Sequence, residues 1–283
     1  VIKVLKPGLY SSIQDFGRFG CQQYGVPYSG VMDRYSAGLA NIILGNAPDL
    51  AVIEMTVMGG VFQFDSDTVI CVTGADMSPK LNGETIPQNL PVKIVTGDVL
   101  SFGKLRKGVR CYVAVLGGLL SEKILESRSM YQGVTKQSVL LKNDIIEITT
   151  SSSFLIIKNA LVKLKDEVFE NDYLEVFKGP EFDLLTKNQQ TFLMSNSFSI
   201  SKNNSRMAYQ LEECLENVLE PIITSPVLPG TVQLTPSGQL IILMRDCQTT
   251  GGYPRVLQLK ESSINVLAQK FTGDKIQFNL LEY

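Results

Sequence analysis

Apolar positions along this chain fall into short runs punctuated by turn residues, with few long helical stripes. Runs at 1–5, 52–57, 60–64, 68–73, 93–95, 99–102, 110–116, 145–149, 154–157 and 240–244 read as strands. Pro7-Gly8, Asn82-Gly83, Gly97-Asp98 and Gly117-Gly118 supply turn chemistry between several of them. One stretch breaks the pattern. Met32, Tyr35, Leu39, Ile42 and Ile43 recur at helical spacing, with Ser29 or Asp33 available near the start and Gly45-Asn46 as the stop. Many short strands, frequent turns and one or two helices predict a mainly β, barrel-like protein.

Self-comparison extends this reading. Val4-Leu5-Lys6-Pro7-Gly8 resembles Val176-Phe177-Lys178-Gly179-Pro180, and Gly60-Val61-Phe62-Gln63-Phe64 parallels Gly230-Thr231-Val232-Gln233-Leu234. Ser29-Gly30-Val31-Met32 stands opposite Asn204-Ser205-Arg206-Met207, and Thr96-Gly97-Asp98 opposite Thr272-Gly273-Asp274. Four matches in one order at nearly one offset predict two copies of a β unit, 1–116 and 173–283, with 117–172 as an inserted, connecting segment. On that basis the run 68–72 and the residues Thr73 to Pro79 after it form the first copy's counterpart of a strand and loop at 240–255.

That second loop is the densest concentration of candidate chemistry. The apolar run 240–244 leads into Asp246-Cys247-Gln248-Thr249-Thr250-Gly251-Gly252-Tyr253-Pro254-Arg255. Adjacent glycines let a backbone approach a ligand and turn N–H groups outward, while Gln248, Thr249, Thr250 and Tyr253 add donors and acceptors. A Gly-Gly hairpin whose hydroxyls satisfy local backbone groups is the plainer reading. The expected counterpart at 73–79 lacks the Gln-Thr-Thr-Gly-Gly-Tyr series, which favours a functional loop. A second polar region brings Gln14, Asp15, Arg18, Tyr28, Ser29, Asp33 and Arg34 together, with Ser127-Arg128-Ser129-Met130-Tyr131 as a further polar knot. There Asp33 could cap the helix it begins, Asp15 and Arg18 could pair to hold the loop, and Arg206 could close the barrel through an ion pair or contact a ligand anion.

Composition then narrows the chemistry. The chain has 283 residues, a net charge of −2 and no Lys/Arg block, so a nucleic-acid role has no basic stripe to rest on. It contains no histidine, which excludes Ser-His-Asp and Cys-His catalysis and removes the commonest zinc ligand. Five scattered cysteines without a C-x-x-C fit a reducing compartment. No signal peptide is visible and the longest apolar stretch, near 112–120, is too short for a bilayer, so a soluble cytoplasmic protein is expected. The segment Gly97 to Leu105 imitates a phosphate loop but has one residue too many between its glycines and lacks the Ser/Thr. G-x-G-x-x-G and G-x-S-x-G are absent, and S-x-x-K occurs twice without its companion motifs.

Pro7-Gly8-Leu9, Ile13-Gln14-Asp15-Phe16-Gly17-Arg18, Gly25-Val26-Pro27-Tyr28-Ser29-Gly30-Val31-Met32-Asp33, Asn204-Ser205-Arg206-Met207 and Gln248-Thr249-Thr250-Gly251-Gly252-Tyr253-Pro254 together resemble the KipA family. That family is also called allophanate hydrolase subunit 2, the biotin-dependent carboxyltransferase family, and the 5-oxoprolinase C subunit. The resemblance covers essentially the whole chain. It implies tandem cyclophilin-like β-barrel units, and partners in the form of a KipI-like B subunit and an A subunit of 5-oxoprolinase. With these partners the family converts 5-oxoproline to glutamate using ATP, for which this chain carries no nucleotide motif. Related sequences move carboxyl from biotin to urea, so biotin enters only on that alternative. A third reading is a regulatory protein that binds a KipI-like partner without chemistry. Under the resemblance Asp15, Arg18, Asp33 and Tyr253 are candidate catalytic groups. Gln14, Ser205, Arg206, Gln248, Thr249, Thr250, Gly251 and Gly252 are the corresponding candidate substrate contacts, with no metal. The sequence departs from the family after Ser127-Arg128-Ser129, where most relatives carry a Gly-rich loop and this chain has Gln132-Gly133-Val134-Thr135-Lys136-Gln137-Ser138.

Overall fold

The computed structural model describes residues 1–149 and 167–282; the strand expected at 154–157 lies outside them. The chain divides into two compact units, Val1–Arg18 with Ser29–Lys165, and Phe19–Tyr28 with Asp166–Tyr283.

The first unit contains β1 (Ile2–Lys6), β2 (Tyr10–Gln14), α1 (Arg34–Ile43), β3 (Val52–Thr56), β4 (Val61–Phe64), β5 (Thr68–Asp76), β6 (Pro79–Leu81), β7 (Glu84–Thr85), β8 (Pro91–Ile94), β9 (Val99–Phe102), β10 (Lys107–Val115) and β11 (Ile145–Ile146). These form a six-stranded sheet ordered β11-β1-β4-β9-β6-β7 and a five-stranded sheet ordered β2-β3-β10-β5-β8. Alternating residues of the two sheets, among them Ile2, Val4, Phe62 and Phe64 from one and Ile13, Ile53, Met55, Ile70, Val72 and Val113 from the other, share one buried cluster. The opposite face of the five-stranded sheet carries Val52, Cys71, Tyr112 and Ala114, packed with Ala37 and Ala40 of α1. Residues beyond 116 stay with this unit. Leu119, Leu140, Ile146 and Ile148 enter the same cluster, β11 pairs with β1, and Leu119 bridges Ile148.

The second unit contains α2 (Glu167–Glu170), β12 (Tyr173–Lys178), α3 (Lys187–Ser195), β13 (Ser197–Asn204), β14 (Ala208–Cys214), β15 (Ser225–Pro226), β16 (Thr231–Leu234), β17 (Gln239–Leu243), β18 (Thr250–Gly251), β19 (Arg255–Leu259), α4 (Glu261–Leu267) and β20 (Lys275–Leu280). Seven strands close a barrel in the order β12-β19-β16-β17-β14-β13-β20. The ring is completed by a parallel pairing of β12 with β20, which leaves no free edge on the barrel. Phe198 stacks on Phe278 with ring centroids 5.3 Å apart. The described chain is thus mainly β, as its strand pattern predicts. No helix among the described residues is long and apolar enough to cross a membrane.

Local signals explain the helices. Asp33 caps α1, accepting from the Ser36 amide at 3.0 Å. α3, absent from the strand-and-turn reading, opens on a capping box in which the Thr186 and Gln189 side chains each accept from the other's backbone. Of the matched segment pairs, the Thr-Gly-Asp turns recur in detail. Asp98 accepts from the Val95 amide and Asp274 from the Phe271 amide, with Gly97 and Gly273 at φ 96° and 90°. Other pairs keep different neighbours: β1 pairs with β4, whereas β12 pairs with β19 and β20. One expectation is corrected outright. Thr73 to Asp76 is no loop, because β5 continues through it. Gly74 sits at a bulge with φ 79°, where an added Cβ would lie 2.4 Å from the Arg110 carbonyl oxygen. Its glycine serves a bulge, so it offers no counterpart to the loop after β17.

Candidate functional site

In the first unit Asp15 organises a knot. Its carboxylate oxygen Oδ1 accepts from the Gly17 amide at 2.9 Å and from both the Ser127 and Ser129 hydroxyls at 2.6 Å. Oδ2 accepts from the Arg128 amide at 2.6 Å. The Asp15 amide donates to the Ser129 hydroxyl at 3.0 Å. Fully buried Arg18 donates to the main-chain oxygens of Ile124 and Ser129. Gln14, also fully buried, lies on β2 instead of a loop and donates to the Ser12 hydroxyl and the Met130 carbonyl, both at 3.0 Å. The three residues therefore stitch the Asp15 turn to the Ser127-Arg128-Ser129 segment, two stretches separated by more than a hundred positions in sequence.

Asp33 belongs to a second buried group. Ser12, Glu54, Tyr112 and Thr73 lie in one row across β2, β3, β10 and β5, and all four are fully buried. Three of them grip the start of α1. The Met32 amide donates to Glu54 at 2.7 Å, the Asp33 amide to the Tyr112 hydroxyl at 2.9 Å, and the Thr73 hydroxyl to the Ser36 carbonyl at 2.7 Å. Burial, then the neighbouring Glu54 and Asp33 carboxylates, push the Tyr112 hydroxyl well above its ordinary value. Tyr112 thus stays a neutral hydrogen-bonding group.

In the second unit Arg206 makes a bidentate pair with Asp246, Nε to Oδ2 at 2.8 Å and the second guanidinium nitrogen to Oδ1 at 3.1 Å. Both side chains are about a tenth exposed, at 8% and 12%. The Ser205 hydroxyl accepts from the Met207 amide. Beyond Asp246 the loop lies along residues 222–227: β18 pairs with β15, the Val227 amide donates to the Thr249 carbonyl, and the Ile222 amide donates to the Gly252 carbonyl. Neither Gly251 nor Gly252 has a positive φ. Gly251 lets the Gln233 side chain pack against the loop, since a Cβ there would lie 2.4 Å from the Gln233 amide nitrogen and would require that side chain to move. Gln233, 2% exposed, reaches the Tyr253 carbonyl, and Gln248 reaches Gln233, each at 3.5 Å. The loop is thereby folded over one buried amide side chain.

What the loop leaves open matters most for chemistry. Among the described residues, the Gly252 and Tyr253 amides and the Thr249, Thr250 and Tyr253 hydroxyls have no protein hydrogen-bond partner. Tyr253 is 40% exposed. Successive unengaged N–H groups on a braced backbone can stabilise an oxygen that gains negative charge, at no cost in reorganisation. Asp15, Arg18, Asp33, Gln14 and Arg206 instead direct polar groups into the fold.

Gln233 and Glu54 were not singled out by sequence, whereas Arg128 stood in the polar knot 127–131 without an assigned role. A signal existed for the first two: each is a polar residue inside an otherwise apolar strand, Thr-Val-Gln-Leu and Val-Ile-Glu-Met-Thr. Such a position is filled only when its polar atoms find partners.

A two-unit β protein with a donor-bearing loop braced on a closed barrel is the class these features define, and its overall fold recurs in known proteins. The chain belongs to the carboxyltransferase domain family, subdomains A and B, whose family model matches residues 24–280. It is 28% identical over 288 residues to the 5-oxoprolinase C subunit of Haemophilus influenzae, covering 98% of this chain and 90% of that protein. Among solved structures, the Kluyveromyces lactis urea amidolyase superposes with a TM-score of 0.86 at 27% identity, covering 99% of this chain and 19% of that one. The solved protein TTHA0988 gives a TM-score of 0.85 at 27% identity, and this chain spans 55% of its length.

Proposed function

We propose that this chain is the C subunit of an ATP-dependent 5-oxoprolinase, hydrolysing 5-oxoproline to glutamate together with a KipI-like B subunit and an A subunit. The observation that carries the reading is the end-to-end similarity to the 5-oxoprolinase C subunit of Haemophilus influenzae, which spans 90% of that protein. The loop chemistry supports it. Opening the lactam breaks its C–N bond, adds water across it and builds negative charge on the former carbonyl oxygen. The free Gly252 and Tyr253 amides suit that oxygen. The Tyr253 and Thr249 hydroxyls can orient the attacking water or pass a proton to the departing nitrogen. ATP would be handled by the partner proteins, since no phosphate loop occurs in this chain. Five free thiols fit a cytoplasmic setting.

The family's carboxyltransferase description favours one alternative, transfer of carboxyl from biotin to urea or a similar small amide. There too a ureido oxygen gains charge in the reaction. Reconstitution separates the two. Glutamate released from 5-oxoproline only when ATP, both partners and this chain are all present supports the first reading. A folded, assembled complex that releases none, yet carboxylates urea when given a carboxybiotin donor, replaces it with the second.

A further inference from the structure

The first unit holds a cavity of about 600 Å³ that none of the foregoing chemistry uses. Ile13, Met130, Leu140 and Ile146 give it an apolar floor, and Arg128, Lys136, Ser121, Glu122, Asp144 and Glu147 ring it with charge and hydroxyl. Arg128 is the outward member of the Ser127-Arg128-Ser129 segment. Its flanking serines are fully buried on the Asp15 carboxylate, and its own amide is held there at 2.6 Å. One guanidinium nitrogen donates to the Ser121 carbonyl, and the rest of the fork is uncommitted among the described residues. Lys136 likewise has no ion-pair partner among them. The Ser121 hydroxyl is buried and lacks a hydrogen-bond partner.

We propose that this cavity binds a small organic carboxylate that also bears an N–H or ammonium group, with the carboxylate on Arg128 and Lys136. A planar guanidinium fixed at one corner is preorganised for bidentate carboxylate binding. The orphaned Ser121 hydroxyl gains a partner when such a ligand enters. Glu122 and Glu147, exposed on the same rim, repel a simple anion and attract an N–H donor, so the mixed lining selects an ampholyte. Asp144 is less available, because one of its oxygens accepts from the Leu141 amide at 2.7 Å. On this assignment Asp15 is a positioning residue for Arg128. The choice of 5-oxoproline and glutamate as ligands rests on the proposed function; the recognition chemistry stands without it.

The test is a ligand-observed NMR titration of the full chain alone with 5-oxoproline, L-glutamate and 2-pyrrolidinone, which is the same lactam without the carboxylate. Saturable binding of one or both acids is expected, with pyrrolidinone weaker by about tenfold or more, the contribution of a charge-assisted bidentate pair. Arg128→Met should lose about the same factor, Arg128→Lys should recover part of it, and Lys136→Met should lose less. Equal binding of pyrrolidinone and 5-oxoproline, no saturable response to either acid, or unchanged affinity in Arg128→Met would overturn the proposal. If Arg128→Met does not fold, unchanged affinity in Lys136→Met does so. Glutamate release by the assembled complex, with no saturable acid binding to this chain, removes this inference and leaves the proposed function standing. Acid binding by the chain without turnover in the complex does the reverse.

Discussion

Replacing Asp15 by Asn separates a structural carboxylate from a chemical one. In the native knot Oδ1 receives three donors and Oδ2 receives the Arg128 amide. Asparagine keeps one acceptor oxygen but presents an NH2 to the Arg128 amide, so two donors face each other in a partly buried setting. A hydrogen bond to a charged acceptor contributes about 1.5–3 kcal/mol, and a stranded buried donor costs about 1–3 kcal/mol. The three bonds that persist weaken as the charge disappears. A destabilisation of about 3 kcal/mol follows, which for a unit of this size lowers Tm by roughly 6–12 °C. The chain has no tryptophan, so unfolding is followed by far-UV circular dichroism. Ser127→Ala combined with Asp15→Asn should cost less than the sum of the two alone, because the pair shares one oxygen. A variant that melts within about 1 °C of the parent yet loses turnover in the complex would refute the structural reading and return Asp15 to the chemistry.

Four further outcomes follow from the same geometry. Arg206→Met leaves Asp246 charged and unpaired at a site about a tenth exposed and should cost about 3–5 kcal/mol in urea unfolding, with partial recovery in Arg206→Met/Asp246→Leu. Gly251→Ala drives a methyl into the Gln233 amide and should cost about 1–3 kcal/mol; the same substitution in a Gln233→Ala background should cost clearly less by the same assay. Burial pushes the Cys71 and Cys247 thiols up to about 12. Because their folded values exceed the unfolded ones, the stability they contribute is complete below about pH 9 and is lost progressively as pH rises toward 12. Urea midpoints should accordingly fall across that window. At pH 8 a thiol reagent should react rapidly with exposed Cys214 and only slowly with Cys71, Cys111 and Cys247, which are buried.

Strand positions in the first unit were largely legible because short alternating runs and Gly-Asp turns carry local physical information, whereas β2 reads as loop and β13, β14 and β19 carry no strand-like run in that reading. β4, β9 and β17 fall within a residue or two of where their apolar patterns place them. The path through Gly74 was not, since a glycine at a bulge and a glycine at a turn are alike in sequence and differ only in what passes beside them. Closure of the second unit by a parallel β12–β20 pair is similarly invisible, being a contact between the two ends of that unit. The polar segments 14–18, 127–131 and 248–253 were found by composition. Their division into groups facing inward and groups left open required the fold. Asp15 reads the same in sequence whether it meets a substrate or two serines more than a hundred positions away. Gln233 shows the converse, a buried polar residue whose use becomes apparent only with Gly251 seated against it.

The most direct measurement compares glutamate release by the assembled three-protein complex carrying either the parent chain or Gly252→Pro. That substitution removes an N–H which has no partner among the described residues, and the native φ at this position is not positive. Proline also fixes φ at about −65°, and a Cβ at this position would lie 3.3 Å from the Ile222 carbonyl oxygen, so the comparison is made on a variant whose Tm and assembly match the parent's. The parent complex should release glutamate from 5-oxoproline with ATP, and the variant should show kcat lower by about a hundredfold, the effect of losing one preorganised donor. Parental kcat in a folded, assembled Gly252→Pro complex, or undiminished release when this chain is left out, would contradict the assignment of this loop to the reaction.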